Sequence, residues 1–171
     1  MQISPSQKQN SPGEVLEQNL DLLYRVANRL TGNATKAEDL VSETIEIAFR
    51  AWSSFDGKFP KSWLIKILRN QFFQQVRKTK TRNEAPLDDS NEPVEDNFWH
   101  AVDKKLEADL ILEALDRVSE EYREAIILCD VEELDYAEVA MILEIPPATL
   151  RSRLFRGRKI LRSKLIAIAA N

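Results

Sequence analysis

Apolar residues return along this chain at intervals of three and four, the period of one helix face. In the stretch EVLEQNLDLLYRVANRL, Leu16, Leu20, Leu23, Ala27 and Leu30 share such a face and predict a helix over 14–30. Gly32 follows as its C-cap. Thr35 and Glu38 stand three apart, the spacing of a capping box, and open AEDLVSETIEIAFRAW. There Val41, Ile45, Ala48, Phe49 and Trp52 fall on one side, leaving Glu38, Asp39, Glu43 and Glu46 on the other. Gly57 and Pro60 break the pattern. It resumes in KSWLIKILRNQFFQQVRK, with Trp63, Ile67 and Phe72 or Phe73 expected inward and basic residues outward.

The second half repeats this grammar. ADLILEALDRV and EEYREAIILCDV read as two amphipathic helices parted at Ser119, a good N-cap residue. Asp135 and Glu138 offer a capping box for a short helix ending near Leu143. After a brief interruption, Pro147 suits the first turn of a new helix. A short helix, a tight turn and a further helix are the parts of a helix-turn-helix. In the last helix Leu150, Leu154, Gly157, Leu161 and Leu165 form the expected buried stripe. At about 100° per residue, Ser152, Phe155, Arg156 and Lys159 point away from it, flanked by Arg151 and Arg153.

Charge divides the chain. Its 171 residues carry a net charge of −4, yet the sign is unevenly spread. From Lys58 to Arg82 there are cations and no acid; from Glu84 to Asp96 there are acids and no base; from Arg151 to Lys164 the chain is basic again. The acidic stretch also carries Pro86 and Pro93, a linker composition. The expectation is an all-α chain of two small helical domains joined by a flexible acidic linker. Its divisions are an N-terminal extension (1–13), a first domain (14–82), the linker (83–105) and a second domain (106–171). Only four glycines and 43% hydrophobic residues suit such a globular helical chain.

An acidic total does not oppose a basic helix binding nucleic acid, because charges act within a Debye length of about 8–10 Å. An apolar Phe155 among arginines suits a major groove, where arginine reads guanine and apolar groups meet a thymine methyl. The remaining cations of that helix are expected to neutralise phosphates. Cys129 and His100 are the only residues of their types, which excludes an internal disulfide and a Cys/His metal site. Cys129, in the run AIILCDV, is expected to be a buried thiol. Neither a phosphate loop nor a nucleophile elbow is present. No catalysis, metal or cofactor is therefore expected. No apolar run nears the roughly 20 residues of a membrane span, and the polar start MQISPSQKQNSPG lacks a secretory core. A cytoplasmic location is the expectation.

YRVANRLTGNATKAEDLVSETIEIAFRAW followed by FPKSWLIKILRNQFFQQVRK resembles region 2 of bacterial RNA polymerase sigma factors of the extracytoplasmic-function (ECF) type. LDRVSEEYREAIILCDVEELDYAEVAMILEIPPATLRSRLFRGRKIL resembles their region 4. The resemblance implies a factor that binds core RNA polymerase and directs promoter-specific initiation, recognising and melting promoter DNA. Asp39, Leu40, Ser42 and Glu43 would bind the clamp helices of the largest polymerase subunit, with the flap of the second largest as a further contact. Phe55, Lys58, Trp63, Asn70 and Arg77 would engage the minus-ten element, aromatic rings stacking on a flipped base and the amide bonding its edge. Arg151, Ser152, Phe155, Arg156 and Lys159 would read the minus-thirty-five element. An anti-sigma protein is a further family expectation, as is a monomer when free. The acidic linker could fold back on a basic segment. Three features depart from the family pattern, one of them the entry PPAT (146–149), which stands for a more usual proline-small-glycine-Thr and would stiffen or shift the start of the last helix. Glu144 stands in the turn where Gly is usual, at a left-handed cost of about 1 kcal/mol. Gly157 replaces a usual Ala, weakening the helix by roughly 1 kcal/mol. A conventional helix-turn-helix regulator is the competing reading; it would bind paired half-sites as a dimer and leave the first half unexplained.

Overall fold

The structure, a computed structural model, describes residues 10–79 and 108–170. The acidic stretch 84–96, its postulated folding back, the whole linker 83–105 and His100 lie outside the described residues.

Helix α1 spans Pro12–Thr31 and starts earlier than the apolar pattern indicates, because Ser11 caps it. The Glu14 amide donates to Ser11 Oγ (3.3 Å) and the Ser11 amide to Glu14 Oε2 (2.9 Å), a reciprocal capping box. Gly32 closes the helix at φ 62°, as expected. Val15, Leu16, Leu23, Val26, Ala27 and Leu30 are buried, but Leu20 is exposed. Its azimuth lies near the edge of that arc, since an i+4 step advances past a full turn.

Helix α2 spans Ala34–Ala51, and its cap is Asn33, not Thr35: Asn33 Oδ1 accepts from the Lys36 amide at 2.9 Å. It buries Ala37, Leu40, Val41, Thr44 and Ala48. Phe49, expected inward, is 50% exposed, because it sits about a third of a turn from the centre of that arc. A short turn at Trp52–Ser54 leads on towards α3, Pro60–Thr79. There Leu64, Ile65 and Leu68 are fully buried, with Phe72 close behind. Trp63, Ile67 and Phe73 only flank the core. The helix offers two overlapping apolar stripes, and the purely aliphatic one occupies the interior.

The second group comprises α4 (Ala108–Asp116), α5 (Glu120–Ile126), α6 (Tyr136–Leu143) and α7 (Pro147–Ala169). A wider turn, Ile127–Val131, extends α5 and bonds the Glu132 amide back to Ile127 O at 2.9 Å. Asp135 caps α6 through the Ala137 amide (2.8 Å). The expected capping box is absent, since Glu138 turns outward to α3. Among the described residues every regular element is helical.

The two groups meet where α1 faces α5 and α3 faces α6, and the seam is ionic. Arg69 donates to Glu124 twice, at 2.8 and 3.1 Å. Ser62 Oγ donates to Glu138 Oε1 at 2.7 Å, with Lys61 Nζ 3.4 Å from the same oxygen. Lys66 Nζ meets Glu144 Oε1 at 2.5 Å. Arg25 pairs with Glu132 at 3.2 Å, and Arg29 pairs with it as well.

Candidate nucleic-acid interface

Helices α6 and α7 form the helix-turn-helix, and the turn depends on one unusual residue. Glu144 adopts φ 55°, ψ 41° as the C-cap of α6. The Ile145 amide then donates to Ala140 O at 3.1 Å, the long bond of a Schellman ending. The turn thus keeps a left-handed residue without a glycine. Pro146 stands extended as the N-cap position and Pro147 starts α7 with its fixed φ.

Helix α7 is anchored as its spacing predicts: Leu150, Leu154, Gly157, Leu161 and Leu165 are all buried. Gly157 has a packing reason. A Cβ there would lie 3.0 Å from both Tyr122 Cβ and Ile126 Cδ1, so the glycine lets α7 approach α5 closely.

The seven cations between Arg151 and Lys164 do not act alike. Arg158 is buried; its Nη2 and Nε donate to Asp130 at 2.6 and 2.9 Å, and Nη2 also reaches Tyr136 Oη at 3.0 Å. Those bonds raise its pKa further against the opposing effect of burial. Arg153 turns back to Glu121 and Glu124, at 3.8 and 3.9 Å. The expectation that every remaining cation of α7 neutralises phosphate is therefore corrected for these two: paired and mostly buried, they orient the helix. Arg151, Lys159 and Arg162 are exposed, while Ser152, Phe155 and Arg156 are half-buried on the outward side. Phe155 is thus less open than its periodicity indicates, though it still stands with the face expected to read bases.

The first group carries the second cluster. Phe55 and Trp63 stack with centroids 4.4 Å apart and planes inclined by 23°, and Trp52 closes on both at 5.2 and 6.0 Å. The two predicted platforms therefore cover part of one another, and Trp52, which the sequence placed in the core, completes an aromatic cluster. Lys58 is exposed on the loop, its amide bonded to Asp56 Oδ1 at 2.8 Å beside Gly57 at φ 78°. Asn70 and Arg77 are exposed on α3. They repeat from Trp63 at intervals of seven, which places all three on one helix face. Phe59 was missed by sequence reasoning. It is 65% exposed with φ 51°, directly before Pro60. The motif FP hinted at a constrained residue, but nothing in the pattern indicated that the ring faces outward.

On α2, Asp39, Ser42 and Glu43 are exposed, and Glu43 accepts from Gln75 Nε2 at 2.9 Å. Leu40 contradicts its expected role: it is 0% exposed in the core, one residue from the outward face, and its carbonyl accepts from Thr44 Oγ1. Glu46, Phe49 and Arg50 extend the outward face instead.

Among the described residues no cluster of His, Cys, Asp or Glu could hold a metal, and no helix is long and apolar enough to cross a membrane.

Known proteins share this arrangement. The family description Sigma-70 region 2 matches residues 15–82, and Sigma-70, region 4 matches residues 108–161. The ECF RNA polymerase sigma factor SigE of Mycolicibacterium smegmatis is 40% identical over 158 residues, covering 89% of this chain and 60% of that protein. The chain thus spans about three fifths of that relative's length. ECF RNA polymerase sigma factor SigM of Bacillus subtilis is 32% identical, covering 88% of this chain and 92% of its own. Among solved structures, the sigma factor RpoE of Bartonella quintana in complex with the anti-sigma factor NepR is similar with a TM-score of 0.69 at 30% identity, covering 90% and 96% of the two chains. CnrH in complex with the cytosolic domain of CnrY gives 0.67 at 22% identity, covering 95% and 92%, a likeness of fold alone.

Proposed function

The chain belongs to the ECF-type RNA polymerase sigma factors of the sigma-70 family, and from that premise we propose how its residues divide the work of promoter-specific initiation. The first domain, 14–82, binds core polymerase and opens the minus-ten element. The second, 106–171, docks on the minus-thirty-five element, and 83–105 links them. The observation that carries this reading is the two-sidedness of α7. Its leucine stripe and Gly157 are buried, while Ser152, Phe155, Arg156 and Lys159 lie on the opposite side, flanked by the exposed Arg151.

Arg151, Arg156 and Lys159 meet guanine edges and phosphates, and Phe155 meets a thymine methyl. On the first domain, Asn70 bonds the edge of an unpaired base. Trp63 and Phe55, already stacked together, offer the outer face of their pair, and Lys58 and Arg77 hold the backbone. Opening then follows from binding the unpaired strand better than the duplex, a shift of population. Asp39, Ser42 and Glu43 present acids and a hydroxyl to the clamp helices of the largest polymerase subunit, and the second domain meets the flap of the second largest. The chain contributes no catalysis; nucleotide transfer belongs to the polymerase. Its place is in the cytoplasm with that enzyme, and an anti-sigma protein is its regulator, as NepR pairs with RpoE.

Gel filtration with core polymerase tests the reading: co-elution supports it. Binding of paired half-sites by a dimer without polymerase would replace it with the conventional regulator. In run-off transcription, Arg156→Ala lowers initiation while core binding persists. Asn70→Ala forms the closed complex but opens it poorly by permanganate footprinting.

A further inference from the structure

Two acids bound the outward arc of α2. At about 100° per residue, Glu38 and Glu43 stand roughly 140° apart around the helix, with Ser42, Glu46 and Asp39 between them. All five are exposed, and the buried residues of α2 fill the opposite side. Because α2 packs against both α1 and α3, the edges of this arc are where it meets its neighbours.

Each edge acid is held from behind by a polar side chain of a different helix. Gln75 of α3 donates through Nε2 to Glu43 Oε2 at 2.9 Å. Tyr24 of α1 is half-buried against the core, and its hydroxyl is hydrogen-bonded to Glu38. That bond, with burial and the Glu38 charge adding to it, raises the Tyr24 pKa. Both donors are neutral. An amide and a phenol orient a carboxylate without cancelling its charge, as a lysine or arginine would.

Stability gives little reason for these contacts. Glu43 and Gln75 are both exposed, and an exposed hydrogen bond largely replaces one made to water. What changes is freedom. A glutamate side chain turns about three bonds, and freezing such a chain on association weakens binding. An acid already oriented by its neighbour escapes that loss, and keeps its full charge for the partner.

We propose that Tyr24 and Gln75 are positioning residues for polymerase binding. From α1 and α3 they set the carboxylates of Glu38 and Glu43, at the two edges of the acidic face of α2, before a cationic partner arrives. The inference rests on the reading that this face meets core polymerase. Neither residue touches the polymerase itself; each acts through its acid.

The test uses the full chain. Affinity for core polymerase is measured by competition against a fluorescein-labelled unsubstituted chain. Gln75→Ala and Tyr24→Phe each weaken binding roughly two- to fivefold, the effect of one glutamate left to be frozen on association. Gln75→Glu keeps the size of the side chain but sets a like charge against Glu43, so it binds more weakly than Gln75→Ala. A packing role would rank the two the other way. In a Glu43→Ala background Gln75→Ala has no further effect, and in a Glu38→Ala background neither has Tyr24→Phe. Gln74→Ala, at the exposed neighbouring position of α3, leaves affinity unchanged. Thermal midpoints of the Gln75 variants stay close to that of the unsubstituted chain. A full effect of Gln75→Ala in the Glu43→Ala background, or Gln75→Glu binding as tightly as the unsubstituted chain, overturns the proposal. An unsubstituted chain that does not bind core polymerase overturns the sigma reading. Binding by that chain with Tyr24→Phe and Gln75→Ala equally tight removes only the positioning roles.

Discussion

Arg158 of α7 and Asp130 after α5 form a buried pair with both guanidinium arms engaged, at 2.6 and 2.9 Å. The pair ties the recognition helix to the core from inside. Removing one partner strands a charge, so Arg158→Ala destabilises the chain by about 3–5 kcal/mol. Replacing both, as in Arg158→Met with Asp130→Leu, costs much less. Urea denaturation followed by circular dichroism compares the two. Arg158→Lys restores little, because the ammonium lacks the planar fork.

Gly157→Ala sets helix propensity against packing. Alanine favours the helix by roughly 1 kcal/mol, but its Cβ would meet Tyr122 and Ile126 at 3.0 Å. Overpacking of this kind costs about 1–3 kcal/mol, so the net change is a loss of stability, or at best none. A clear gain in the urea midpoint would refute the close approach of α5 and α7.

Adjacent residues on α2 separate folding from binding. Leu40→Ala empties a fully buried site and costs about 2–5 kcal/mol. Asp39→Ala, on the outside, leaves the thermal midpoint nearly unchanged yet weakens co-elution with core polymerase. Normal co-elution of Asp39→Ala would remove it from the polymerase face.

Cys129 is inert in the folded chain. Burial, with the charge of Asp130 adding to it, pushes its thiol up to about 12. At pH 8 the folded protein therefore carries roughly a thousandfold less thiolate than the unfolded chain, since thiolate falls tenfold per pKa unit. Iodoacetamide labels it at a measurable rate only in urea. The sign for stability follows: the unfolded thiol ionises first, so this contribution is complete below about pH 8.5 and is lost as pH rises towards the folded value. Rapid labelling of the folded chain at pH 8 would show that the site opens.

Much of this was legible in the sequence. The leucine stripe of α7, the Gly32 cap, the Pro147 start and the buried Cys129 follow from period, backbone preference and hydropathy, which are local properties. Leu20 and Phe49 were misjudged for a related reason. Each lies near the boundary of an apolar arc, where spacing alone does not place the centre of the buried face. Leu40 was carried outward by the family resemblance, whereas its place beside Val41 and Thr44 puts it in the core. Phe59 was missed because a constrained backbone, not an apolar pattern, turns its ring outward.

The sequence by itself determined the all-helical architecture, the helix-turn-helix, and which side of α7 is buried, because helix period and caps act over a few residues. Only the tertiary structure decided which cations remain on the surface. Arg158 and Arg151 belong to the same basic run, yet one is held in the core by Asp130 and the other is exposed. Likewise Glu138 and Glu144 meet Lys61 and Lys66 across more than seventy residues. Pairings that distant depend on how helices pack, and no local period encodes them.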